Sequence, residues 1–318
     1  MAESSVTTSE NNGSNNDGHA SFKYYADAHF HLDRSADQKM GFNVNMTLEG
    51  VLYAAQEKYG LRDPPQCQLS LVVTNFCDPE NFGQLSKRLN TILQDERLRV
   101  SFGIHPKKIH LSQNKKGYLK QTVTANLRKF LNNQKTVAFG EVGLDFEKEV
   151  GRGWANQEFM LEALLNSVKD ILKNRNLPVV LHLKGGHRAH YDQVASKAKG
   201  ILTATVGCEH PIQLHCFLGS SEDVAKWLKD FPNCSFSIAV GKFQNRTYMS
   251  EEAKMLRSIP REKLLLETDA PHLSGQKGVI SSPLNIPNRA RIIADALDCS
   301  VEDLLKDTLQ NAVNFFHL

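Results

Sequence analysis

The sequence lacks the features of a disulfide-rich secreted protein and those of a membrane protein. Its six cysteines are scattered over 318 residues, and none of them forms a Cys-x-x-Cys pair. This pattern is typical of reduced intracellular thiols rather than of a disulfide framework. No apolar run approaches the roughly 18 residues that a membrane-spanning helix needs. We therefore expect a globular protein that does not bind a membrane.

The chain also lacks a strong excess of charge of one sign. Its formal net charge of +3 permits an anionic partner such as a nucleic acid, but does not require one. No Gly-x-Gly-x-x-Gly follows the first apolar run, which argues against a nucleotide cofactor. Composition alone therefore does not indicate an activity.

The first 20 residues are rich in Ser, Asn, Gly and Thr and contain no apolar stretch. Such a segment cannot bury enough apolar surface to offset the entropy that ordering costs. We expect residues 1–21 to form a disordered polar tail and residues 22–318 to form one domain. Because the tail resembles neither a secretory signal nor a transit peptide, we expect the protein in the nucleus or cytoplasm.

Short apolar runs alternate with helical patterns from residue 22 onward. Runs that are nearly all apolar are typical of parallel strands buried on both faces. The eight runs lie at residues 23–30, 69–74, 99–104, 136–140, 178–182, 212–217, 234–240 and 263–268. Helical spacing is clearest over residues 156–174 and 300–316, and Ser220 or Ser221 can begin a third helix. The alternation predicts an α/β fold, a single (β/α)8 TIM barrel, with an open doubly wound sheet as the alternative.

The stretch DAHFHLDR, residues 27–34, carries two imidazoles on alternate positions at the end of the first run. Residues i and i+2 of a strand point to the same face, so His29 and His31 would project together. Two neutral imidazoles in this arrangement can bind one metal ion. Two exposed loop histidines would give the same pattern, so a metal site needs further ligands from distant parts of the chain.

Ionisable residues at the ends of other runs can provide those ligands. In a TIM barrel the functional side chains lie at the carboxyl ends of the strands. The candidates at these ends are His105, Glu141, His182, His215 and Asp269. Any one of them could be a core histidine or a helix cap. Buried acids and imidazoles cost several kcal/mol unless they are paired or ligated, however, so their joint occurrence predicts a cation site.

The candidate ligands include four imidazoles and two carboxylates. This mixed set fits zinc, manganese or magnesium, although histidine is a poor ligand for magnesium. Two ions about 3.5–4 Å apart can share a carboxylate and bind both oxygens of an in-line phosphoryl displacement. We therefore expect one or two divalent ions, Mg²⁺, Mn²⁺ or Zn²⁺, as cofactors.

Six short motifs, in order along the chain, resemble those of the TatD-related deoxyribonucleases, a family of amidohydrolase-like metal-dependent hydrolases. The motifs are DAHFHLD, FGIHP, AFGEVGLDF, LPVVLHLKG, HCFLGS and LLLETDAPHL. The resemblance runs from about residue 24 to the C-terminus. The segments TNFCDP and FPNCSFSIAVGK are most similar to the animal TatD domain-containing protein 2 branch.

The resemblance implies a TIM barrel that hydrolyses phosphodiester bonds of DNA with two metal ions, often as a 3′→5′ exonuclease. The residues that match the first metal site are His29, His31, Glu141 and Asp269. The second metal site would share Glu141 and add His182 and His215. Asp269 would also orient or deprotonate the attacking water.

One departure from the family is Lys184, which stands where an arginine usually follows the histidine of the fifth strand. A lysine attracts phosphate as a point charge, without the two-pronged geometry of a guanidinium. We expect Lys184 and His105 to bind the substrate, with a structural role as the alternative for His105. Asp33 is expected to cap a turn or to accept a hydrogen bond from a metal-binding imidazole.

Basic residues in loops of the same face form either a rim for a nucleic-acid backbone or ordinary solvated charge. They are Lys107, Lys108, Lys184, His187 and Arg188.

The favoured function is a monomeric metal-dependent nuclease acting on DNA, with RNA and RNA–DNA hybrids as further substrates. The alternatives are a metal-dependent amide or ester hydrolase and a non-catalytic nucleic-acid scaffold.

Overall fold

A computed structural model describes residues 23–37, 46–111, 124–147, 152–242 and 250–318, so the predicted tail at residues 1–21 lies outside the described residues. The described residues contain eight parallel strands that are hydrogen-bonded in chain order. The strands are β1 (Lys23–Phe30), β2 (Cys67–Phe76), β3 (Leu98–Phe102), β4 (Thr136–Phe146), β5 (Val179–Gly185), β6 (Ile212–His215), β7 (Cys234–Ala239) and β8 (Leu264–Glu267).

Helices connect successive strands. Within the described residues they are α1 (Leu32–Ser35), α2 (Leu48–Tyr59), α3 (Phe82–Ile92), α4 (Thr124–Leu131), α5 (Arg152–Arg175), α6 (Arg188–Thr205), α7 (Ser221–Asp230), α8 (Glu251–Ser258), α9 (Asn285–Leu297) and α10 (Val301–Phe315). Ser220 caps α7, because its hydroxyl accepts the backbone N–H of Asp223. None of these helices is both long enough and apolar enough to cross a membrane.

The chain segment after β8 contacts β1, so that the sheet forms a nearly closed barrel. The backbone N–H of Asp269 donates to the carbonyl of His29 at 3.0 Å, and the N–H of His31 donates to the carbonyl of Ala270 at 2.8 Å. The buried carboxylate of Asp27 joins the same two segments by accepting the backbone N–H of Thr268 at 3.0 Å. The predicted (β/α)8 barrel is confirmed, and the open sheet is excluded.

The strand boundaries differ from the predicted runs in a way that affects the site. β4 continues to Phe146 and is buried along its whole length, so Glu141 lies within the strand rather than at its end. Gly143 allows this extension, because a Cβ atom there would lie 1.9 Å from the carbonyl oxygen of His182 on β5. The close approach of β4 and β5 brings Glu141 and His182 together at the mouth of the barrel.

Candidate metal centre

Glu141 lies at the centre of the cluster of predicted ligands. Its Oε1 atom lies 2.6 Å from Nδ1 of His182 and 3.6 Å from Nε2 of His215. Its Oε2 atom lies 3.6 Å from Nε2 of His31 and 3.8 Å from Nε2 of His29. The two oxygens of one carboxylate therefore face two different groups of histidines.

Asp269 completes the cluster from the loop after β8. Its Oδ1 atom lies 3.4 Å from Nε2 of His31, 3.9 Å from Nε2 of His29 and 4.0 Å from Nε2 of His215. The residue has a φ of 52°, in the left-handed region that aspartate tolerates better than most residues. This turn and the hydrogen bond from its N–H to β1 direct the carboxylate towards the histidines.

An oxygen atom lies behind each of three imidazoles, on the side away from the centre of the cluster. Nδ1 of His31 lies 2.9 Å from the carbonyl of Asn75, and Nδ1 of His215 lies 3.0 Å from Oε1 of Glu267. Nε2 of His182 lies 3.4 Å from Oδ2 of Asp145. The contact of His31 is a hydrogen bond, so this imidazole donates its far N–H and presents the lone pair of Nε2, as metal-binding histidines do. The contacts behind His215 and His182 lack hydrogen-bond geometry, and Nδ1 of His182 donates to the carboxylate of Glu141.

The prediction that Asp33 hydrogen-bonds an imidazole is wrong. Its Oδ2 atom accepts the side-chain amide of Asn81 at 3.2 Å, and its Oδ1 atom accepts the backbone N–H of Arg34 at 2.9 Å. Asp33 therefore contacts Asn81 and the backbone of α1, and it is not the cap of that helix, because His31 holds the N-cap position. The backbone carbonyl of Asn75 holds His31 instead, and a backbone group cannot be read from residue types.

His105 lies next to Glu141 but differs from the other histidines in its hydrogen bonding. Its Nδ1 atom accepts the backbone N–H of Lys107 at 3.1 Å, so the proton of the neutral ring lies on Nε2. Nε2 lies 3.5 Å from Oε1 of Glu141. Burial lowers the pKa of His105 to about 3, so the ring is neutral and offers one N–H donor towards the cavity.

The acids of the cluster are ionised. Burial raises the pKa of Glu141, but His105, His215 and His182 outweigh it and hold this pKa well below its usual range. The pKa of Asp269 is likewise held low by hydrogen bonding to His31 and by His215, against the effect of burial. These buried carboxylates require compensating positive charge.

The pKa of His215 also indicates that the cluster needs positive charge. Burial lowers its pKa, but the carboxylates of Glu267 and Glu141 outweigh burial and raise the pKa to about 10. A proton on this imidazole and a metal ion are two ways of supplying the positive charge. Metal binding would release that proton, because a histidine ligand must be deprotonated.

The donor set fits metal ions. Among the described residues there are three groups whose ligand atoms all lie within 4.8 Å of one another: His29–His31–Glu141, His29–His215–Asp269 and His105–Glu141–His182. The first group contains three of the four residues predicted for the first metal site. The group around Glu141 and His182 contains His105 where His215 was predicted, but Nε2 of His105 carries the ring proton and offers no lone pair in this arrangement. His215 instead groups with His29 and Asp269, although its Nε2 atom also faces Glu141.

Two adjoining cavities open above the cluster. One has a volume of about 540 Å³, and its lining includes His31, Arg34, His105, Glu141 and Asp269. The other has a volume of about 400 Å³, and its lining includes the apolar side chains of Leu183, Phe217, Leu218 and Leu273. Asp269, His182, His215 and Lys184 line both, so the two cavities meet at the cluster of predicted ligands.

The predicted basic rim is present, but its lysines and arginine are paired with acids. Nζ of Lys184 lies 3.0 Å from Oε2 of Glu147, and Nζ of Lys107 lies 3.4 Å from the same atom. Lys107 also contacts Asp145 at 3.0 Å. Lys108 and Arg188 form ion pairs with Glu80 and Asp223 respectively. The lysines and the arginine are therefore cations at the mouth with local acidic partners, and their role as a rim for a nucleic-acid backbone stays a prediction.

Several residues of the site were not predicted as site residues. Arg34 and Cys77 contact the cluster, Asn75 holds His31, and Glu267 lies behind His215. Two signals could have identified Arg34 and Glu267. Arg34 follows His31 by three residues in the same motif, and Glu267 precedes Asp269 by two in the acidic Glu-Thr-Asp triplet at the end of β8.

A family model described as TatD related DNase matches residues 26–317, which is nearly the whole domain. The chain belongs to the TatD-related DNase family. This match confirms the resemblance that the six motifs indicated, and with it the class of metal-dependent hydrolases.

The curated relatives differ in what their names report. The human "3'-5' RNA nuclease TATDN2" is 28% identical over 250 residues, which cover 78% of this chain and 28% of that protein. The human "Deoxyribonuclease TATDN3" is 28% identical over 182 residues, covering 57% of this chain and 60% of that protein. An uncharacterized metal-dependent hydrolase of Buchnera aphidicola is 26% identical over 297 residues, covering 93% and 97%.

The chain thus spans less than two thirds of either human relative but nearly all of the bacterial one. The two human relatives are equally identical to it, so its assignment to the TatD domain-containing protein 2 branch stays a prediction.

Among solved structures, a TatD-family hydrolase from Entamoeba histolytica has a TM-score of 0.68 at 19% identity, covering 93% of this chain and 99% of that one. The TatD homologue YJJV of Escherichia coli has a TM-score of 0.66, also at 19% identity, covering 92% and 98%. These structures share the fold.

Proposed function

We propose that this protein is a divalent-metal-dependent nuclease that hydrolyses phosphodiester bonds of DNA, as a 3′→5′ exonuclease, with RNA and RNA–DNA hybrids as further substrates. The observation that carries the proposal is the convergence of four imidazoles on the carboxylate of Glu141, with the carboxylate of Asp269 beside them, beneath a cavity bordered by cations. We also propose that the enzyme is a monomer, that it acts in the nucleus or cytoplasm, and that it needs no nucleotide cofactor.

Glu141 is the proposed shared ligand of two ions, Mg²⁺, Mn²⁺ or Zn²⁺. Support comes from its two oxygens, of which Oε2 faces His29 and His31 whereas Oε1 faces His182 and His215. Asp269 approaches His29, His31 and His215 and would complete the first site. Metal ions held by these residues would supply Lewis-acid activation of water and of the phosphodiester.

Asp269 is the proposed acceptor of the proton from the attacking water. Its carboxylate is ionised, and 13% of its side chain is exposed, towards the cavities. Glu141 is less suitable for this step, because only 2% of its side chain is exposed and histidines surround both of its oxygens. A base must reach water, and Asp269 does so at the junction of the two cavities.

His105 and Lys184 are the proposed contacts of the scissile phosphate. The Nε2–H of His105 is the neutral donor described above, directed into the 540 Å³ cavity. Lys184 lines both cavities and carries its charge on a flexible side chain beside Glu147. A phosphate oxygen could replace Glu147 as the partner of Lys184.

The 400 Å³ cavity gives the second candidate function some support. Its apolar side chains could hold a small organic substrate, as in a metal-dependent amide or ester hydrolase. The basic residues Lys184, Arg188 and Lys242 also line it, which favours a nucleoside next to a phosphate over a neutral amide. The nuclease is therefore the preferred proposal.

A substrate panel separates the candidates. Metal-loaded protein is incubated with 5′-end-labelled single-stranded DNA, duplex DNA, RNA and an RNA–DNA hybrid, and in parallel with chromogenic esters and anilides. The proposal expects metal-dependent shortening from the 3′ end, with at least one nucleic acid cleaved much faster than any ester or amide. Hydrolysis of esters or amides alone would favour the alternative, and binding of nucleic acid without turnover would favour a scaffold.

A further inference from the structure

Arg34 occupies an unusual position beside the predicted metal ligands. It follows His31 by three residues in α1, and its side chain folds back over that histidine. Nη1 of Arg34 lies 3.1 Å from Nε2 of His31. The side chain is only 19% exposed and lines the 540 Å³ cavity, where it is the one arginine among the described lining residues.

Asp78 fixes the guanidinium. Nε of Arg34 donates to Oδ2 of Asp78 at 3.1 Å, and Nη2 donates to Oδ1 at 2.8 Å, so the two planar groups pair through two bonds. Burial raises the pKa of Asp78, but hydrogen bonding to Arg34 outweighs it and keeps this pKa low. Nη2 also lies 3.2 Å from the sulfur of Cys77. These contacts aim Nη1 at the cluster.

The hydrogen bond between Arg34 and His31 uses the lone pair that a metal ion would take. Nδ1 of His31 lies 2.9 Å from the carbonyl of Asn75, to which it donates, so Nε2 is the acceptor. Arginine stays charged and has no acceptor, so Nη1 must be the donor to Nε2. A metal ion and Arg34 therefore compete for the same atom of His31.

We propose that Arg34 binds the phosphate of the substrate and thereby couples phosphate binding to metal binding. The inference rests on the proposed function. If an ion took the lone pair of His31, the Nη1 donor would lose its partner, and the guanidinium would lie beside a second cation with only the shared Asp78 to offset its charge. A phosphate oxygen in the 540 Å³ cavity relieves both problems, because it accepts the N–H and offsets the charge.

Two lysines of the same cavity are less suited to this role. Lys107 and Lys184 are half-exposed, and both contact Glu147, which supplies them with an alternative anion. Lys108 lies 3.5 Å from Oδ1 of Asp78, so Asp78 is shared between two cations and does not neutralise Arg34 alone. Arg34 is thus the fixed cation nearest to the predicted ligands.

Calorimetric titration with Mn²⁺, with and without methyl phosphate, tests the coupling without any need for turnover. Coupling is reciprocal, so methyl phosphate should tighten Mn²⁺ binding in the unmodified protein by about tenfold or more. In Arg34→Met the gain should fall to about threefold or less. Mn²⁺ binding without phosphate should stay as tight in that variant or become tighter, because the competitor for His31 is gone.

Arg128→Met is the matched control, since Arg128 also pairs with an aspartate, Asp170, but on the outer surface. It should behave as the unmodified protein. If Arg34→Met does not fold, Arg34→Lys keeps the charge without the paired geometry and should show a reduced gain. Asp78→Asn, which releases the guanidinium, should reduce the gain as well.

Three results would overturn the inference. One is an unchanged gain in Arg34→Met, and another is weaker Mn²⁺ binding in that variant without phosphate, which would mean that Arg34 merely supports His31. The third is Mn²⁺ binding that methyl phosphate leaves unchanged in the unmodified protein. Failure of the nuclease proposal looks different, since coupling would then persist in a protein that cleaves no nucleic acid.

Discussion

The floor of the two cavities is formed by the predicted metal ligands, and their rim is formed by the basic loop residues. Both regions carry many ionisable side chains, but these side chains differ in burial and in the partners that fix them. On the floor, Glu141 and His29 are almost fully buried, and a hydrogen bond to the carbonyl of Asn75 fixes the ring of His31. On the rim, the side chains of Lys107 and Lys184 are 51% and 44% exposed and share one acid, Glu147.

The difference in burial explains why side chains on the floor are positioned more precisely than side chains on the rim. A buried charge is expensive unless every partner is in place, so the floor tolerates few alternative arrangements. An exposed ion pair contributes little and is screened by salt, so the rim can exchange its partners at low cost. The floor is suited to chemistry, and the rim is suited to a substrate that arrives and leaves.

Loss of the shared carboxylate should have the largest effect. Glu141→Ala removes the proposed ligand of both ions, and each ion contributes several kcal/mol to the stabilisation of the transition state. We expect at least about a hundredfold loss of turnover with an unchanged circular dichroism spectrum. A variant that keeps more than about a tenth of the original rate would contradict the sharing of Glu141.

A smaller effect is expected one step away from the ions. Oε1 of Glu267 lies 3.0 Å from Nδ1 of His215, and removal of a carboxylate behind a metal-binding histidine typically costs 10–100-fold in metal affinity. Glu267→Gln should therefore weaken Mn²⁺ binding by about tenfold in a calorimetric titration. The exposed Glu209→Gln serves as the control. Equal affinities for the two variants would mean that the floor does not depend on its outer hydrogen bonds.

Substitutions on the rim should change KM only moderately, and they can raise or lower it. Lys184→Ala should raise KM several-fold with little change in kcat, and should reduce the slope of log affinity against log salt by about 0.7 to 0.9. Glu147→Gln should lower KM, because it frees Lys184 and Lys107 for phosphate. An unchanged KM in Lys184→Ala would show that this lysine does not contact the substrate.

The smallest effect is expected outside the barrel. Residues 1–20 precede every strand and helix of the described domain, and we propose that this segment is a separate polar tail. Its deletion should leave kcat, KM and the melting temperature unchanged within experimental error. A large loss of activity would assign the tail a role in substrate binding that its composition does not indicate.

The ligands could be predicted from the sequence because strand period and strand ends determine where they lie. His29 and His31 are two residues apart on one strand, and His182, His215 and Asp269 follow or end apolar runs. Glu141 was identified, but its place within β4 was not, since the strand continues through two glycines that composition alone assigns to a turn.

The partners of the ligands could not be predicted in the same way. His31 is held by a backbone carbonyl of β2, and Arg34 is fixed by Asp78, which lies 44 residues away. Such contacts depend on the register between strands and on a loop that folds over the barrel mouth. Asp33 was expected to orient a histidine, but the first turn of α1 directs it to Asn81 instead.

The most direct test of the central claim joins metal content to turnover in the same samples. Metal-stripped protein and its Glu141→Gln variant are titrated with Mn²⁺, and each point is assayed for cleavage of 3′-terminal nucleotides from labelled single-stranded DNA. The account predicts two ions per chain in the unmodified protein and activity that rises as both sites fill. In the variant it predicts loss of both metal binding and cleavage. Full cleavage by the metal-stripped protein, or unaltered metal binding and cleavage in Glu141→Gln, would contradict a metal centre built on Glu141.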